Sequence, residues 1–300
     1  MGIPESQLET WSHHGAVVTA KATHESIRNA LNYYEWPEGV NFEVYLQGSY
    51  RNSTNIRGDS DVDIIVQLNS TFQRDLSALS EYENGLYQSA FSDATYLWED
   101  FWADILKALQ DYYDTSAISM GNKSLKIASG SGRLAADVVV CLQYRKYHRF
   151  RGITDQEYAE GIVFYTRREN RRVINFPKLH YENGVKKNER AKGWYKPTVR
   201  FFKNARAYLV DRGIIAETLA PSYFLECLLY NVPDENFGSS YQETFLSVIE
   251  WLVNSFSNGR YQNFLCQNEQ LFLFGDTPEQ WLVNNAVELF ITLTELWKDW

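Results

Sequence analysis

Two periods of apolar residues divide this chain, one typical of strands and one of helices. Residues 16–34 have apolar positions at helical spacing, which predicts a long first helix. The segments FEVYLQ (42–47) and DVDIIVQL (61–68) alternate or are β-branched, and they predict two strands of a mixed sheet. Between residues 83 and 113, apolar positions recur every three or four residues and predict a helix that covers one face of that sheet.

A second pair of strands is indicated by SLKIAS (124–129) and LAADVVVCLQY (134–144), which a Gly-Ser-Gly turn connects. The predicted sheet therefore has at least four strands. Beyond Arg149 the apolar pattern becomes helical. The predicted helices there span residues 193–211, 221–231, 240–256 and 279–297.

These elements predict an α+β fold, with a mixed-sheet lobe over residues 1–150 and a mainly helical lobe over residues 151–300. No linker is long or polar enough to separate two freely moving domains. We therefore expect the two lobes to pack tightly, with a cleft between them.

The composition indicates an ordinary globular protein. Of its 300 residues, 44% are hydrophobic, which is enough for a large core. The sequence begins without a secretory signal, and no apolar run approaches the roughly 20 residues that span a bilayer. Cys141, Cys227 and Cys266 lie far apart in apolar surroundings and are predicted to be buried thiols. We expect a cytoplasmic monomer that does not bind a membrane.

Charge restricts the class of partner. A net charge of -9 argues against sequence-independent binding to nucleic acid, which depends on counterion release from a basic surface. Lysine and arginine are nevertheless dense between residues 167 and 206. Together these observations favour a small anionic ligand over a polymer.

The segment GSYRNSTNIRGDSDVD (48–63) combines features of a phosphate site and a metal site. Gly48 allows close approach of the backbone, and the N–H groups at a predicted helix start, from Ser49 onward, can hold a phosphate. Asp61 and Asp63 begin a strand, and alternation places both carboxylates on one sheet face. Two such carboxylates repel each other unless a cation lies between them, which suits Mg2+, with Mn2+ as an alternative.

A third carboxylate, Asp137, stands in an otherwise apolar strand, where an unpaired charge would be costly. If this strand lies beside that of Asp61 and Asp63, the three acids form the two-metal arrangement used in phosphoryl and nucleotidyl transfer. Asp137 would then orient or deprotonate the attacking hydroxyl. Two plainer interpretations stay open: Asp59, Asp61 and Asp63 are ordinary turn and strand-edge acids, and Asp137 is salt-bridged to an arginine.

Gly48-Ser49, Asp61-Val62-Asp63 and the separate Asp137 together resemble the hallmark of the polymerase β-like nucleotidyltransferase superfamily, over about the first 145 residues. Two later segments, residues 174–206 and 221–237, resemble the bacterial cGAS/DncV-like nucleotidyltransferases of CBASS anti-phage systems. The resemblance then spans nearly the whole chain.

This resemblance implies a polymerase β-like sheet with a C-terminal helical lobe. It also implies an enzyme that joins nucleoside triphosphates into a cyclic di- or oligonucleotide signal, which a downstream effector reads without contacting the enzyme. In that family the three acids bind Mg2+, while a lysine and a serine hold the triphosphate. These last roles fall on Lys203 and Ser222.

Several further residues are candidates for nucleotide contacts. Lys196, Arg200 and Lys203 fall at i, i+4 and i+7, so they project from one helix face, either toward phosphates or into solvent. Ser222 follows Pro221 and could equally cap a helix. The polar residues that flank the glycine-serine turn, Gln47 and Asn52, are also candidates, whereas His180 is expected to be a structural hydrogen-bond partner.

Base choice is the last expectation that the resemblance carries. In that family a lid position within the segment matching VINFPK helps to select the base, and the polar residue there is Asn175. An amide can pair with O4 and N3–H of uracil, which predicts that UTP is a substrate. A turn role before Phe176-Pro177 has equal weight.

Two other functions stay open at this point. One is a nucleotidyltransferase that modifies a protein, an antibiotic or an RNA end. The other is a catalytically inactive module that only holds nucleotide. The presence of Asp61, Asp63 and Asp137 argues against the second, because an inactive site loses its acids without penalty.

Overall fold

A computed structural model of the chain describes residues 2–15, 18–56 and 61–300. Asp59 and the first two positions of the predicted helix 16–34 lie outside these residues. Within them the chain forms a seven-stranded mixed sheet and ten α-helices, which confirms the predicted α+β fold.

The strands are Phe42–Leu46 (β1), Val62–Asp75 (β2), Ile118–Met120 (β3), Leu125–Ile127 (β4), Ala136–Gly152 (β5), Asp155–Tyr165 (β6) and Arg172–Asn175 (β7). The helices are Glu5–Ser12 (α1), Val18–Asn32 (α2), Gly48–Asn52 (α3), Glu81–Ala90 (α4), Trp98–Tyr113 (α5), Pro177–Arg190 (α6), Tyr195–Asp211 (α7), Ser222–Tyr230 (α8), Tyr241–Ser257 (α9) and Val283–Asp299 (α10).

Two compact units divide these elements. Of the described residues, 18–50 and 61–178 form one unit, called here the sheet unit, and 2–15, 51–56 and 179–300 form the other, called the helical unit. The sheet unit therefore continues past residue 150, and the helical unit includes α1.

The sheet unit is built around β2. This strand pairs antiparallel with β1 and parallel with β5, and β5 in turn pairs antiparallel with β4 and β6. Four consecutive side chains of β2, from Ile64 to Gln67, are buried, so both faces of the strand are covered. The β-branched run DVDIIV is typical of such a central strand.

The predicted helix over residues 83–113 is wrong in one respect, because the chain forms two helices, α4 and α5, separated by residues 91–97. Helix α4 begins at a capping box, in which Ser80 and Glu83 each accept a hydrogen bond from the other's backbone N–H. Helix α5 begins where the Asp100 carboxylate accepts from Leu97 N at 2.9 Å. The apolar spacing continues across the break and conceals it.

The prediction that the chain turns helical directly beyond Arg149 is wrong for residues 155–165 and 172–175, which form β6 and β7. Strand β6 pairs with the second half of β5, where the Arg149 guanidinium forms ion pairs with Asp155 and Glu157. The first half of β6 is charged and partly exposed and is held by such cross-strand pairs, whereas its second half, from Gly161 to Phe164, is buried.

The helical unit has its own apolar core, and its four predicted helices are confirmed as α7 to α10 within a few residues. Phe202 of α7 stacks on Phe245 of α9, with ring centroids 5.1 Å apart. Helix α1, which the sequence analysis did not predict, adds Leu8 to this core. No helix in the described parts of the chain is both long and apolar enough to cross a membrane.

Candidate active site

The glycine-serine turn, Gly48-Ser49, lies directly against Asp63 of β2. Gly48 has φ of +67°, a conformation that favours glycine, and a Cβ on it would lie 2.2 Å from Asp63 Oδ2. Gln47 N donates to Asp63 O at 2.9 Å, which fixes the end of β1 beside the start of β2. Ser49 follows at the first turn of α3. The Asp63 carboxylate therefore lies against this turn, and a phosphate contact by the backbone of the turn stays a prediction.

Asp63 and Asp137 are direct partners in the parallel pairing of β2 with β5. Neighbouring strands lie about 4.8 Å apart, and partner side chains point to the same face. The expected adjacency of these two acids is confirmed. Asp61 precedes β2 and is exposed, so strand alternation does not fix the direction of its side chain.

Asp137 has a cationic partner that the sequence analysis missed. Lys126 is opposite Asp137 in the pairing of β4 with β5, and its Nζ lies 3.0 Å from Asp137 Oδ1. Ser124 Oγ donates to the same oxygen at 3.1 Å. The hydrogen bond to Asp137 raises the pKa of Lys126, and the charges of Asp61 and Asp63 raise it further. The plainer alternative of a salt bridge at Asp137 is thus borne out with a lysine as partner rather than an arginine.

The side chains at this site have the donor chemistry that a divalent metal requires. Asp63 and Asp137 supply hard carboxylate oxygens on adjacent strands, which is the kind of ligand that Mg2+ prefers. Lys126 shows that this face accommodates a cation. In the described chain, however, no group of three or more histidine, cysteine, aspartate or glutamate side chains is arranged as a metal site. The set Asp61, Asp63 and Asp137 therefore stays a prediction.

In the helical unit two of the predicted nucleotide-binding residues, Asn52 and Lys203, contact a buried carboxylate, Glu226 of α8, which is 4% exposed. Its Oε1 accepts from Thr54 Oγ1 at 2.6 Å and from the Lys203 ammonium. Its Oε2 accepts from Asn52 Nδ2 at 3.1 Å and lies 3.1 Å from His180 Nε2. We call these five residues the Glu226 cluster.

The cluster changes the interpretation of its members. His180 is a structural hydrogen-bond partner, as expected. The Lys203 ammonium is buried and also donates to Thr54 O and Oγ1, each at 3.2 Å. A triphosphate contact by Lys203 stays a prediction, since a phosphate would compete with these partners. The same holds for Asn52, whose amide is bound to Glu226.

The Glu226 carboxylate is ionised despite its burial. Burial by itself raises the pKa of a carboxyl group, but the charge of Lys203 and the hydrogen bond with His180 bring the pKa of Glu226 well below its ordinary value. Sequence reasoning missed this residue. The available signal was a single charged position inside the apolar run SYFLECLLY.

The three predicted cations of α7 differ in burial: Arg200 and Lys203 are buried, whereas Lys196 is partly exposed. Arg200 is buried, and its guanidinium donates to Ser12 O and Ser53 O. Lys196 is only half-buried, and no carboxylate among the described residues forms an ion pair with it. Its Nζ lies 5.7 Å from the centroid of the Tyr181 ring.

Arg51 lies over the same Tyr181 ring, with Cζ 3.9 Å from the centroid. Burial lowers the pKa of Lys196, and the charges of Arg200 and Arg51 lower it further. The charge of Glu226 acts on Lys196 in the opposite direction, but Arg51, Lys196 and Arg200 together are an environment that attracts an anion. Arg51 is a candidate that the sequence analysis missed.

Ser222 is exposed at the first helical position of α8. The N-cap residue is Pro221, and no side-chain cap bond is made there, so the capping role considered for Ser222 is wrong. Its hydroxyl is accessible at a helix N-terminus, where backbone N–H groups favour anions. A phosphate contact by Ser222 stays a prediction.

Asn175 ends β7 and pairs with Ile162 of β6. Ile162 in turn pairs with Gln143 of β5, whose side chain shares its face with Asp137 six residues earlier. Asn175 therefore lies on the same sheet face as the two acids, at a distal position. Its Oδ1 accepts from Phe176 N at 2.8 Å, which is consistent with a turn role as well.

Two family models match the chain. One, described as a nucleotidyltransferase domain, matches residues 27–113, and the other, described as a cGAS/DncV-like nucleotidyltransferase C-terminal helical domain, matches residues 182–298.

Curated relatives match along the whole chain. It is 53% identical to the cyclic UMP-AMP synthase of Rhodothermus marinus, over 100% of this chain and 99% of that protein. It is 40% identical to the cyclic nucleotide synthase CdnE01 of Staphylococcus haemolyticus, over the full length of both.

Solved structures show the same relationship. The Rhodothermus marinus CdnE c-UMP-AMP synthase with Apcpp and Upnpp matches with a TM-score of 0.90 and 52% identity, over 99% of this chain and 97% of that chain. The Elizabethkingia meningoseptica CdnE cyclic dinucleotide synthase with GTP and Apcpp matches with a TM-score of 0.76 and 29% identity, over 99% and 98%. The chain belongs to the cGAS/DncV-like nucleotidyltransferases, within the CdnE family of cyclic nucleotide synthases.

Proposed function

We propose that this protein is a metal-dependent cyclic dinucleotide synthase that joins UTP and ATP into cyclic UMP-AMP. The observation that carries the chemistry is the register of Asp63 with Asp137 beside the Gly48 turn. The choice of bases is supported by the Rhodothermus marinus relative, whose name and bound nucleotides combine uridine with adenosine.

The proposed reaction is an in-line attack of a ribose hydroxyl on the α-phosphate of a second nucleotide. An oxygen–phosphorus bond forms at the α-phosphate, the bond to the bridging oxygen breaks, and pyrophosphate leaves. The same exchange, repeated within the linear intermediate, closes the ring. Asp137 accepts the proton of the attacking hydroxyl or orients it, and the Lys126 ammonium forms an ion pair with that carboxylate.

A divalent metal fits this site in donor chemistry. Asp63 and Asp137 would hold it, together with Asp61. Mg2+, when bound, supplies charge neutralisation and Lewis-acid activation at the phosphates. The Asp63 carboxylate occupies the space beside Gly48, where the Cβ of any larger residue would collide with it.

Asn175 is our candidate for selecting the uracil base. It shares the face of Asp63 and Asp137 and lies on β7, two strands from β5 and level with Gln143, which is six residues beyond Asp137. It would therefore meet the base end of a nucleotide rather than its phosphates. We expect Asn175→Ser to shift the products from a mixed pair toward purines. An unchanged product spectrum by mass spectrometry would leave Asn175 with its turn role alone.

The assay that separates this proposal from its alternatives uses labelled nucleotides without an acceptor. The purified protein is incubated with Mg2+ and each pair of NTPs, and the products are treated with nuclease and phosphatase. A cyclic product resists both enzymes and should be most abundant with UTP and ATP. Transfer that requires an added protein, antibiotic or RNA would favour a modifying enzyme, and nucleotide binding without turnover would favour an inactive module.

A second arm addresses the metal. Chelation with EDTA should abolish product formation, and Mg2+ or Mn2+ should restore it. Activity that persists in EDTA would contradict the proposed metal dependence. We further propose that the product acts as a diffusible signal, read by an effector that need not touch this enzyme.

A further inference from the structure

The segment 52–54 has an unusual backbone that is held from several sides. Ser53 has φ of +59°, a conformation that residues other than glycine rarely adopt. Its carbonyl accepts from Arg200 Nη1 at 2.6 Å, while its neighbours Asn52 and Thr54 both donate side-chain hydrogen bonds to Glu226. Strained conformations of this kind persist only when the surroundings determine them.

This segment stands at a particular place in the sequence. Asn52 follows Ser49 by three residues, and Thr54 precedes Asp61 by seven. The chain must therefore pass through the segment on its way from the predicted phosphate-binding turn to the first acid. Asn52 also ends α3, which begins at Gly48, so the conformation of the segment constrains that turn.

A buried carboxylate at position 226 has an unfavourable desolvation free energy. The neighbouring residues of α8, from Phe224 to Leu229, are all buried. A leucine would suit such surroundings, whereas a buried carboxylate requires a cation and several donors to offset its desolvation. Here Lys203 supplies the cation, and Asn52 and Thr54 are among the donors. Two of the hydrogen bonds that Glu226 accepts come from Asn52 and Thr54, on either side of Ser53. This suggests that the position of residues 52–54 is important for activity.

We propose that Glu226 is a positioning residue: through Asn52 and Thr54 it fixes the end of α3, the short helix that begins at Gly48 against Asp63. Lys203 serves the same purpose by neutralising Glu226 and by donating to Thr54. The inference rests on the proposed function, because its consequence is a rate of nucleotidyl transfer. It assigns a role to Glu226, which does not itself touch the reacting atoms.

The test uses a matched pair at Thr54. Thr54→Val removes the hydroxyl at nearly constant shape, and Thr54→Ser keeps it. We expect Thr54→Val to lower kcat about 10- to 100-fold, as small misplacements in active sites do, with KM changed less than about threefold. Thr54→Ser should restore kcat to within about threefold of the wild type. A purely packing role of Thr54 would not produce this split.

Glu226→Gln completes a double-mutant cycle with Thr54→Val. Because the two residues share the hydrogen bond from Thr54 Oγ1 to Glu226 Oε1, the double variant should lose less activity than the product of the two single losses. Glu250→Gln on the exposed face of α9 is the control for the same substitution and should behave as wild type. Each kcat is measured below the unfolding temperature of that variant. The Thr54 pair retains all charges and keeps the test valid if Glu226→Gln does not fold.

Three results would overturn the positioning role. These are a wild-type kcat in folded Thr54→Val, an equal loss in Thr54→Ser, or a change confined to KM, which would indicate a binding contact instead. Failure of the proposed function looks different, because the wild-type protein would then give no cyclic product from any pair of NTPs.

Discussion

Gly48→Ala is the substitution whose effect follows most directly from the structure. The new Cβ would lie 2.2 Å from Asp63 Oδ2, whereas ordinary van der Waals contact begins at 3.4 Å. The carboxylate of Asp63, or the turn that carries Ser49, must therefore shift by about 1 Å. A misplacement of that size in an active site can reduce the rate about 100-fold.

The same substitution has a second, smaller cost. An alanine at φ of +67° adopts a left-handed conformation that is unfavourable by about 1–2 kcal/mol. We therefore expect Gly48→Ala to lower the unfolding temperature by a few degrees and kcat by about 100-fold. Circular dichroism and product formation at a temperature well below unfolding separate the two effects.

Gly132→Ala is the matched control. Gly132 has φ of +77°, but nothing lies within 4 Å of the position of its Cβ. It should show the same modest loss of stability with normal turnover. If Gly48→Ala is as active as Gly132→Ala, then Asp63 is not held at the position that catalysis requires, and the site described here is wrong.

Three further predictions concern the acids and the Glu226 cluster. Asp63→Asn should abolish product formation while the unfolding temperature holds or rises, and unchanged turnover would refute a catalytic role. Lys203→Ala should lower the free energy of unfolding by about 3–5 kcal/mol, because it leaves Glu226 buried without its cation; denaturant titration measures this, and wild-type stability would contradict the ion pair. Because folding lowers the pKa of Glu226, its ionised carboxylate stabilises the folded protein fully above the ordinary pKa of 4.5. That contribution to the free energy of unfolding is lost as the pH falls toward the pKa of Glu226 in the folded protein. The difference in unfolding temperature between wild type and Glu226→Gln should therefore be largest above pH 5 and shrink below about pH 4.5, and a constant difference would indicate a neutral carboxyl.

The sheet acids could be predicted from sequence because their signals are local. A carboxylate in an apolar strand, as at Asp137, needs a cationic partner wherever the strand lies. The glycine before Ser49 indicated close approach of another group. What the sequence could not provide was the identity of those partners. Lys126 reaches Asp137 through the pairing of β4 with β5, and Asp63 reaches Gly48 through the pairing of β1 with β2.

Other features were missed because the contacts that stabilise them leave no periodic pattern of apolar residues in the sequence. Strand β6 is held by charged pairs such as Arg149 with Glu157 and shows no clear apolar alternation. The break between α4 and α5 ends where the Asp100 carboxylate accepts from Leu97 N at the start of α5, while the apolar spacing continues through it. At Lys203, the family pattern suggested phosphate, whereas Glu226, 23 residues away, determines where the ammonium lies.

Mass spectrometry of the reaction products tests the central claim most directly. Wild-type protein with ATP, UTP and Mg2+ should yield a species with the mass of cyclic UMP-AMP, with two pyrophosphates released per product and no linear dinucleotide triphosphate left at completion. Asp63→Asn, treated identically, should yield none. The account would be contradicted by a wild-type protein that forms no cyclic product from any pair of NTPs, or by an Asp63→Asn variant that forms it as well as wild type.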